Sequence, residues 1–325
     1  MTQRMVRKAS PIATAATAAP SERRRPSIVW VVFSRPVALT AASVIAAFVL
    51  LAVSAPLLAP SRTGRDPYLI PTVGFEMAPH PPSVGHPFGT TEDQFDLYYG
   101  IVWGTRTVFK VTLTVIGASV LIGLVLGSVA GYCGGLVDEA VMRFTDIFLA
   151  FPGLVLAVVI VALLGKGLDK VVLAIAAVNW PTYARLMRGE TLTVKGEEFV
   201  TAARTMGASD LRIILRHIVP NAFFPFFVYG SLDMGTVVIT SAALSFLGLG
   251  TEIGYADWGQ LIALSRRWIL GSPGHAFQFW YTIIYPAAAI TLFVLAWNIL
   301  GDAIRDVLDP RMRGSREAKG GGKHV

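Results

Sequence analysis

The sequence is poor in the residues that build disulfides, metal sites and catalytic clusters. It has a single cysteine, Cys133, among 325 residues, which excludes an internal disulfide framework. Its five histidines are scattered, without an HxxxH or HExxH pair. It also lacks a Gly-x-x-x-x-Gly-Lys-Ser/Thr loop, the segment that cradles nucleotide phosphates. We therefore expect no catalytic residue, no metal site and no cofactor bound by this chain.

Charge is scarce as well, which indicates a membrane protein. Charged residues make up 15% of the chain, against about 25% in soluble globular proteins. Hydrophobic residues make up 54%, and the mean hydropathy is +0.58. The apolar residues form long blocks, a pattern typical of helices in lipid and not of a barrel of alternating strands. The predicted fold class is an all-α integral membrane protein.

Six apolar blocks predict about six transmembrane helices, near residues 37–58, 107–131, 141–164, 171–186, 222–249 and 281–300. The third block is interrupted at Phe151-Pro152-Gly153, which should kink the helix. The second block carries Gly123, Gly127 and Gly131 at GxxxG spacing, a pattern that favours close packing of two helix backbones.

These blocks divide the chain into four regions. We expect a disordered cytoplasmic tail at 1–27, the first transmembrane helix with a long external loop at 28–106, a five-helix core at 107–310 containing a cytoplasmic loop at 187–220, and a second tail at 311–325, also cytoplasmic. The net charge is +7, and lysine and arginine concentrate in the tails and in the 187–220 loop. By the positive-inside rule both termini are cytoplasmic. Because the basic clusters flank apolar spans, contact with membrane lipid is favoured over nucleic-acid binding.

The cytoplasmic loop carries the clearest functional pattern. Its first part favours a short helix over about 197–206, and Gly207 is expected to end that helix in the left-handed conformation. A second helix is predicted over about 211–217, capped by Ser209 or Asp210.

This loop resembles the coupling loop of ABC importer permeases, whose pattern is Glu-Ala-Ala, three residues, Gly, nine residues, Ile, any residue, Leu-Pro. Four residues match it at the right spacing: Ala202, Ala203, Gly207 and Pro220. Thr201 takes the place of the Glu, and His217 the place of the Ile. The surrounding runs are similar to the dipeptide/oligopeptide/nickel branch: Glu198-Phe199-Val200, Gly207-Ala208-Ser209 and Arg216-His217-Ile218-Val219-Pro220-Asn221.

Further motifs extend the resemblance over most of the chain, and the subunit resembled is the C-type subunit of that branch. These motifs are His86 to Thr90, Gly131 to Gly135, Asp146 to Gly153, Trp180 to Arg185, Leu244 to Gly250, Asp257 to Gly259, Asn298 to Asp302 and Arg305 to Arg311. Two segments depart from it. The run after Thr90 lacks the usual Gly-Arg, and Ser241-Ala242-Ala243 stands where Glu-Ala-Ser is common. Both departures are expected near the external gate or the pathway, so they leave substrate identity open.

The resemblance implies a permease subunit that forms half of the pathway of an ATP-driven importer for di- or oligopeptides. Nickel complexes and oligosaccharides are alternatives within the same family. The implied partners are a homologous permease forming a heterodimer, two ATPase subunits that bind ATP and Mg²⁺, and an extracellular or periplasmic solute-binding protein. The implied location is the bacterial or archaeal cytoplasmic membrane.

The residues expected to contact the ATPase are Glu198, Thr201, Ala202, Ala203, Arg204, Gly207, Arg216 and Pro220. Two short helices around a glycine turn form a compact protrusion, with small alanine side chains at its centre and polar residues around them. Such an arrangement is typical of a protein interface. Spacing alone fits equally well a loop that lies on anionic headgroups.

Asp233 and Ser241 are the candidate pathway-lining residues. An ionisable group inside a span is a functional candidate, although a proton relay would need several such groups in a row. An ion-coupled secondary carrier is the alternative of a different class. It predicts inverted repeats and charged midplane sites, and the sequence displays neither.

Overall fold

The computed structural model describes residues 36–61, 66–74, 78–268, 271 and 277–308. The tails predicted at 1–27 and 311–325 lie outside these residues. The described residues form α-helices joined by turns, with short β-bridges and no extended strand. The helices are α1 Pro36–Leu58, α2 Leu97–Cys133, α3 Gly135–Leu149, α4 Gly153–Leu164, α5 Leu168–Lys195, α6 Glu198–Thr205, α7 Asp210–Ile213, α8 Val219–Phe246, α9 Trp258–Leu264 and α10 Tyr281–Leu308.

Helix α2 begins ten residues earlier than predicted. Asp96 caps it, accepting a hydrogen bond from the Tyr99 backbone N–H at 3.0 Å, and its other carboxylate oxygen lies 2.6 Å from His86 Nδ1. The first turns are held by burial, since Leu97 and Trp103 are almost fully enclosed. With 37 residues α2 is about 55 Å long, well beyond the roughly 30 Å of a hydrocarbon core. Its first part therefore stands outside the lipid.

That projecting part packs against a structure that we term the cap, made of residues 66–74, 78–96 and 250–268. Its two loops are joined by backbone hydrogen bonds from Ile70 N–H to Gly254 O and from Ala256 N–H to Tyr68 O, both 2.8 Å. Trp258 is 1% exposed, and its indole N–H donates to Ile101 O on α2. The long polar loop after α1 is thus folded against the bundle along its described residues.

The third apolar block is two helices instead of one kinked helix. The axes of α3 and α4 differ by 86° across the break at Ala150 to Pro152. Pro152 has ψ 122°, which is not helical, so the chain turns here and the helix restarts at Gly153. The predicted kink is confirmed in place, and the turn is much sharper than a kink.

Four helices have the length and composition of membrane spans within the described chain: α1, α2, α8 and α10. The α3–α4 pair is a fifth if it counts as one span. The fourth predicted block, 171–186, corresponds to α5, which runs nine residues past its expected end. One face of that extension is buried, at Met187, Thr191 and Val194. This burial explains why the extension stays helical. Six spans remain a prediction.

Helices α2 and α5 lie against each other along the glycine stripe. A Cβ at Gly123 would lie 2.4 Å from Tyr183 Cβ, and one at Gly127 would lie 2.3 Å from Ala184 O. Neither distance is compatible with a side chain, so only glycine allows the backbones to come this close. The close packing predicted from the GxxxG spacing is confirmed.

Candidate functional site

The segment from Gly196 to Ile218 forms a small helical unit at the end of the bundle opposite the cap, and we term it the elbow. Its central turn is built on Gly207, which has φ +84°. The Ala208 N–H donates to Ala203 O, and the Gly207 N–H donates to Arg204 O, both at 3.0 Å. This pair of bonds is the Schellman arrangement, in which glycine supplies the left-handed residue. The predicted left-handed end of the first helix is confirmed.

The second half of the elbow differs in detail from the prediction. Ser209 occupies the cap position of α7, but its side chain makes no capping hydrogen bond. The α7 turn passes into a π-helical turn, Ile214–Ile218, and that turn runs directly into α8 at Val219. Pro220 therefore lies within this continuous helical path, near the start of α8. A π turn inside a helical path is rare and frequently marks a functional position.

One face of the elbow is buried in the bundle. Val200, Ile213 and Ile218 are at most 1% exposed and share a cluster with Tyr183 and Met187. The elbow is thus packed on the helices that carry it instead of hanging from them as a free loop.

The opposite face is exposed and partly apolar. Phe199 and Leu215 are about half exposed, whereas Met206 and Leu211 are 81% and 66% exposed. Most of the predicted contact residues lie among them on the surface: Glu198, Thr201, Ala202, Arg204, Gly207, Arg216 and Pro220. Large apolar side chains grouped at a surface indicate a binding face.

One of the predicted contact residues lies away from the exposed face of the elbow. Ala203 is 5% exposed, so it supports the elbow from inside and is not part of the outer face. The exposed apolar residues were not predicted, because the motif draws attention to the alanines. Their spacing was a usable signal, since Phe199 and Met206 are seven residues apart and therefore close to the same helical face.

A groove between α4, α5 and α8 is the second candidate site. It has a volume of about 200 Å³ and is open to one side, with polar positions at Asn179, Thr236 and Thr240. The remaining lining residues are Gly153, Leu154, Ala157, Ile175, Val178 and Val237.

Asp233 lies behind this groove and does not line it. The carboxylate is 5% exposed and accepts hydrogen bonds from the Asn179 amide and, at 3.0 Å, from the Tyr183 hydroxyl. No lysine or arginine pairs with it in the described part of the chain. Asn179 is therefore the residue that separates the carboxylate from the groove.

Ser241 is located elsewhere. It lines a small cavity under the cap together with Thr112, Asp257 and Trp258. Asp257 is buried there and accepts a hydrogen bond from the Ser245 hydroxyl. Burial raises the pKa of the Asp257 carboxyl above its ordinary value. The two predicted pathway residues are thus not brought together by the fold.

Ion pairs fasten α3 to α5 near the elbow. The Arg188 guanidinium donates two hydrogen bonds to the Asp138 carboxylate, at 2.5 and 2.6 Å. Arg185 pairs with Asp146 at 2.7 Å, with both side chains more than half exposed. Only the first pair has the two-pronged geometry that makes an arginine–carboxylate contact specific.

The fold is similar to that of a chain in the MetNI methionine ABC transporter, crystallised in inward-facing conformations. The TM-score is 0.52, and the match covers 66% of this chain and 98% of that chain at 20% sequence identity. At this identity the likeness concerns the fold alone. A bundle of apolar helices long enough to cross a membrane, with an elbow at one end, is the fold of a multi-pass membrane protein.

The family follows from sequence comparison. Residues 123–314 match the family described as "Binding-protein-dependent transport system inner membrane component", and the chain belongs to this family. The dipeptide transport system permease protein DppC of Alkalihalophilus pseudofirmus is 37% identical over 83% of this chain and 84% of its own length. The glutathione transport system permease protein GsiD of Pectobacterium atrosepticum is 38% identical over 71% of this chain and 75% of its own. The predicted family and helical membrane fold are confirmed.

Proposed function

We propose that the chain forms half of the pathway of a peptide importer, in a heterodimer with a homologous permease. Relatives named for dipeptide and glutathione transport, at 37% and 38% identity, support a peptide substrate. Nickel complexes and oligosaccharides remain the alternative cargoes of the same machinery. An extracellular or periplasmic solute-binding protein delivers the substrate on the cap side.

The elbow is the contact with the ATPase, and one observation carries this proposal. Exposed apolar side chains stand beside arginines on a rigid two-helix unit whose other face is already buried in the bundle. An apolar centre with a charged rim is the composition of a protein interface. The elbow therefore has the chemistry of a docking surface.

The elbow and both termini lie on the cytoplasmic side of a bacterial or archaeal plasma membrane. The excess of lysine and arginine in the tails and in residues 185–216 supports this orientation. ATP and Mg²⁺ are bound by the ATPase subunits, and this chain has no catalytic site of its own. The elbow passes the motion of those subunits to the bundle.

The α4–α5–α8 groove is the part of the pathway that this chain supplies. Asn179, Thr236 and Thr240 give it hydrogen-bonding groups at a depth where the neighbouring residues are apolar. Such groups match the amides of a peptide in passage. Asp233 acts through Asn179, which it holds in place.

Co-purification of the ATPase tests the proposal. The chain is co-expressed with its partner permease and ATPase subunits, and Leu211→Asp is compared with Val84→Asp. Leu211 is on the exposed face of the elbow, whereas Val84 is a fully exposed apolar residue of the cap. We expect Leu211→Asp to lose the ATPase subunits while the permease pair stays intact, and Val84→Asp to keep them.

The alternative of an elbow that lies on lipid headgroups makes a different prediction. In that case Leu211→Asp weakens the association of the elbow with vesicles of anionic lipid but retains the ATPase subunits. Normal co-purification of ATPase with Leu211→Asp would overturn the proposed contact.

A further inference from the structure

The last turn of α2 is hydrogen-bonded to the elbow through Tyr132. The Tyr132 hydroxyl donates to Asp210 Oδ1 at 2.5 Å and accepts from Arg204 Nη2 at 3.1 Å. Asp210 is the first residue of α7, and Arg204 lies in the last turn of α6. One hydroxyl thus joins both helices of the elbow to a membrane-spanning helix.

A third element meets the same tyrosine. Lys195, the last residue of α5, donates from Nζ to the Tyr132 carbonyl oxygen at 2.5 Å. Its ammonium group also lies 5.4 Å from the centre of the Tyr132 ring, and the Arg204 guanidinium lies 5.5 Å from it. These are cation–π distances. Tyr132, at 5% exposure, is therefore the point where α2, α5, α6 and α7 meet.

These contacts differ in kind from the apolar packing of the elbow. Val200, Ile213 and Ile218 bury the elbow without fixing its direction, because hydrophobic contact has no angular preference. Hydrogen bonds with one charged partner, here the Asp210 acceptor and the Arg204 donor, do have such a preference, and they are strong. Tyr132 therefore fixes where α6 and α7 stand relative to α2.

The contacts also explain the motif Gly131 to Gly135. A Cβ at Gly131 would lie 2.8 Å from Thr191 Cβ, so the first glycine lets α5 come close. Gly134 and Gly135 have φ +68° and +55° in open space, so they are needed for the turn into α3 and not for packing. Between them stands Tyr132, which reaches the elbow. The three glycines and Tyr132 thus serve this one junction.

We propose that Tyr132 is a positioning residue through which movement of the elbow reaches α2. The proposal rests on the proposed contact between the elbow and the ATPase. When the ATPase subunits shift the elbow, the hydrogen bonds of Arg204 and Asp210 with the Tyr132 hydroxyl make the end of α2 move with it. Without the hydroxyl the elbow still docks, but its displacement is no longer passed on directly.

The single cysteine supplies the measurement. Cys133 is exposed and follows Tyr132 directly, so a fluorophore on its thiol reports the movement of the end of α2. The probe is read in the complex of both permeases and both ATPase subunits, with reactive cysteines removed from the partners. ATP addition should change the signal of the wild-type complex, and no ligand is required.

Tyr132→Phe keeps the ring and removes the hydroxyl. We expect it to bind the ATPase subunits and hydrolyse ATP as the wild type does, while most of the ATP-dependent signal at Cys133 is lost. Asp210→Asn should cause a smaller loss, and the double variant should be no worse than Tyr132→Phe alone. The matched control is Tyr281→Phe, because the buried Tyr281 hydroxyl has no partner among the described residues.

The role of Tyr132 would be overturned by an unchanged signal in Tyr132→Phe, or by a wild-type complex in which ATP leaves the signal unaltered. A loss in Tyr281→Phe equal to that in Tyr132→Phe would also count against it, since it would indicate a general effect of removing buried hydroxyls. Failure of the underlying function looks different. In that case Leu211→Asp keeps its ATPase subunits, whereas failure of this inference alone leaves the Leu211→Asp result as expected.

Discussion

Replacing Gly123 by alanine tests the close packing of α2 on α5. The added Cβ would lie 2.4 Å from Tyr183 Cβ, 2.7 Å from the Tyr183 carbonyl carbon and 2.8 Å from the Ala184 nitrogen. Two of these atoms belong to the backbone of α5, so no side-chain rotation relieves the clash and the helices must separate. Overpacking of this kind costs about 1–3 kcal/mol. It also disturbs the Tyr183 hydrogen bond to Asp233.

Helix propensity acts in the opposite direction. Glycine to alanine in a helix interior gains about 0.5–1 kcal/mol. We therefore expect a net loss of about 1–2 kcal/mol for Gly123→Ala, or roughly a tenfold rise in the unfolded fraction. Gly117→Ala is the matched control on the same helix, because no heavy atom lies within 4 Å of its added Cβ. It should be neutral or slightly stabilising.

The assay is denaturant-induced unfolding of the purified chain in mixed micelles, followed by near-ultraviolet circular dichroism. The difference in midpoint between Gly123→Ala and Gly117→Ala, multiplied by the denaturant slope m, gives the packing energy, since both variants gain the same propensity. Equal midpoints for the two variants would refute the reasoning, because they would show that α2 and α5 are not in backbone contact at Gly123.

Two further predictions concern the elbow and the groove. Gly207→Ala should destabilise the elbow turn by about 1–3 kcal/mol, because φ is +84° there, although the space around the added Cβ is open. Co-purification of the ATPase subunits should therefore fall. The control Gly189→Ala, whose added Cβ also lies in open space on α5, should leave co-purification unchanged. Equal co-purification of the two variants would contradict the need for a left-handed residue at Gly207. Asn179→Ala removes one of the two hydrogen-bond donors to the buried Asp233 carboxylate, which should lower the free energy of unfolding by about 1–3 kcal/mol. Thermal unfolding should show this loss. Uptake of radiolabelled dialanine into vesicles should fall by more than the amount of folded protein does. Uptake that falls only in proportion to folded protein would remove Asn179 from the pathway.

Local features were predicted well because their causes are local. The left-handed Gly207 follows from a glycine at the end of a short helical pattern, and the break at Pro152 follows from proline geometry. The close packing at Gly123 followed from spacing, since small residues four apart share one face of a helix, but the spacing did not identify α5 as the partner.

The missed features depend on residues far apart in the chain. Arg204 and Asp210 are 72 and 78 residues from Tyr132, and no pattern in the sequence pairs them. Asp233 was expected beside the pathway, but its position behind Asn179 depends on how α5 and α8 face each other. The early start of α2 was recoverable, because Asp96 is a good cap residue.

The π-helical turn at Ile214–Ile218 has a geometric consequence for the elbow. It takes up one residue more than an α-helical turn, and each residue of an α-helix advances the chain by about 100° around its axis. The rotation of the α7 side chains about the helix axis, relative to those of α8, is therefore set by this one additional residue. A relative that lacked it would turn its arginines and apolar side chains about a quarter of the way around, toward another neighbour. Partner choice in such proteins can thus change through the length of one turn, with every docking side chain retained.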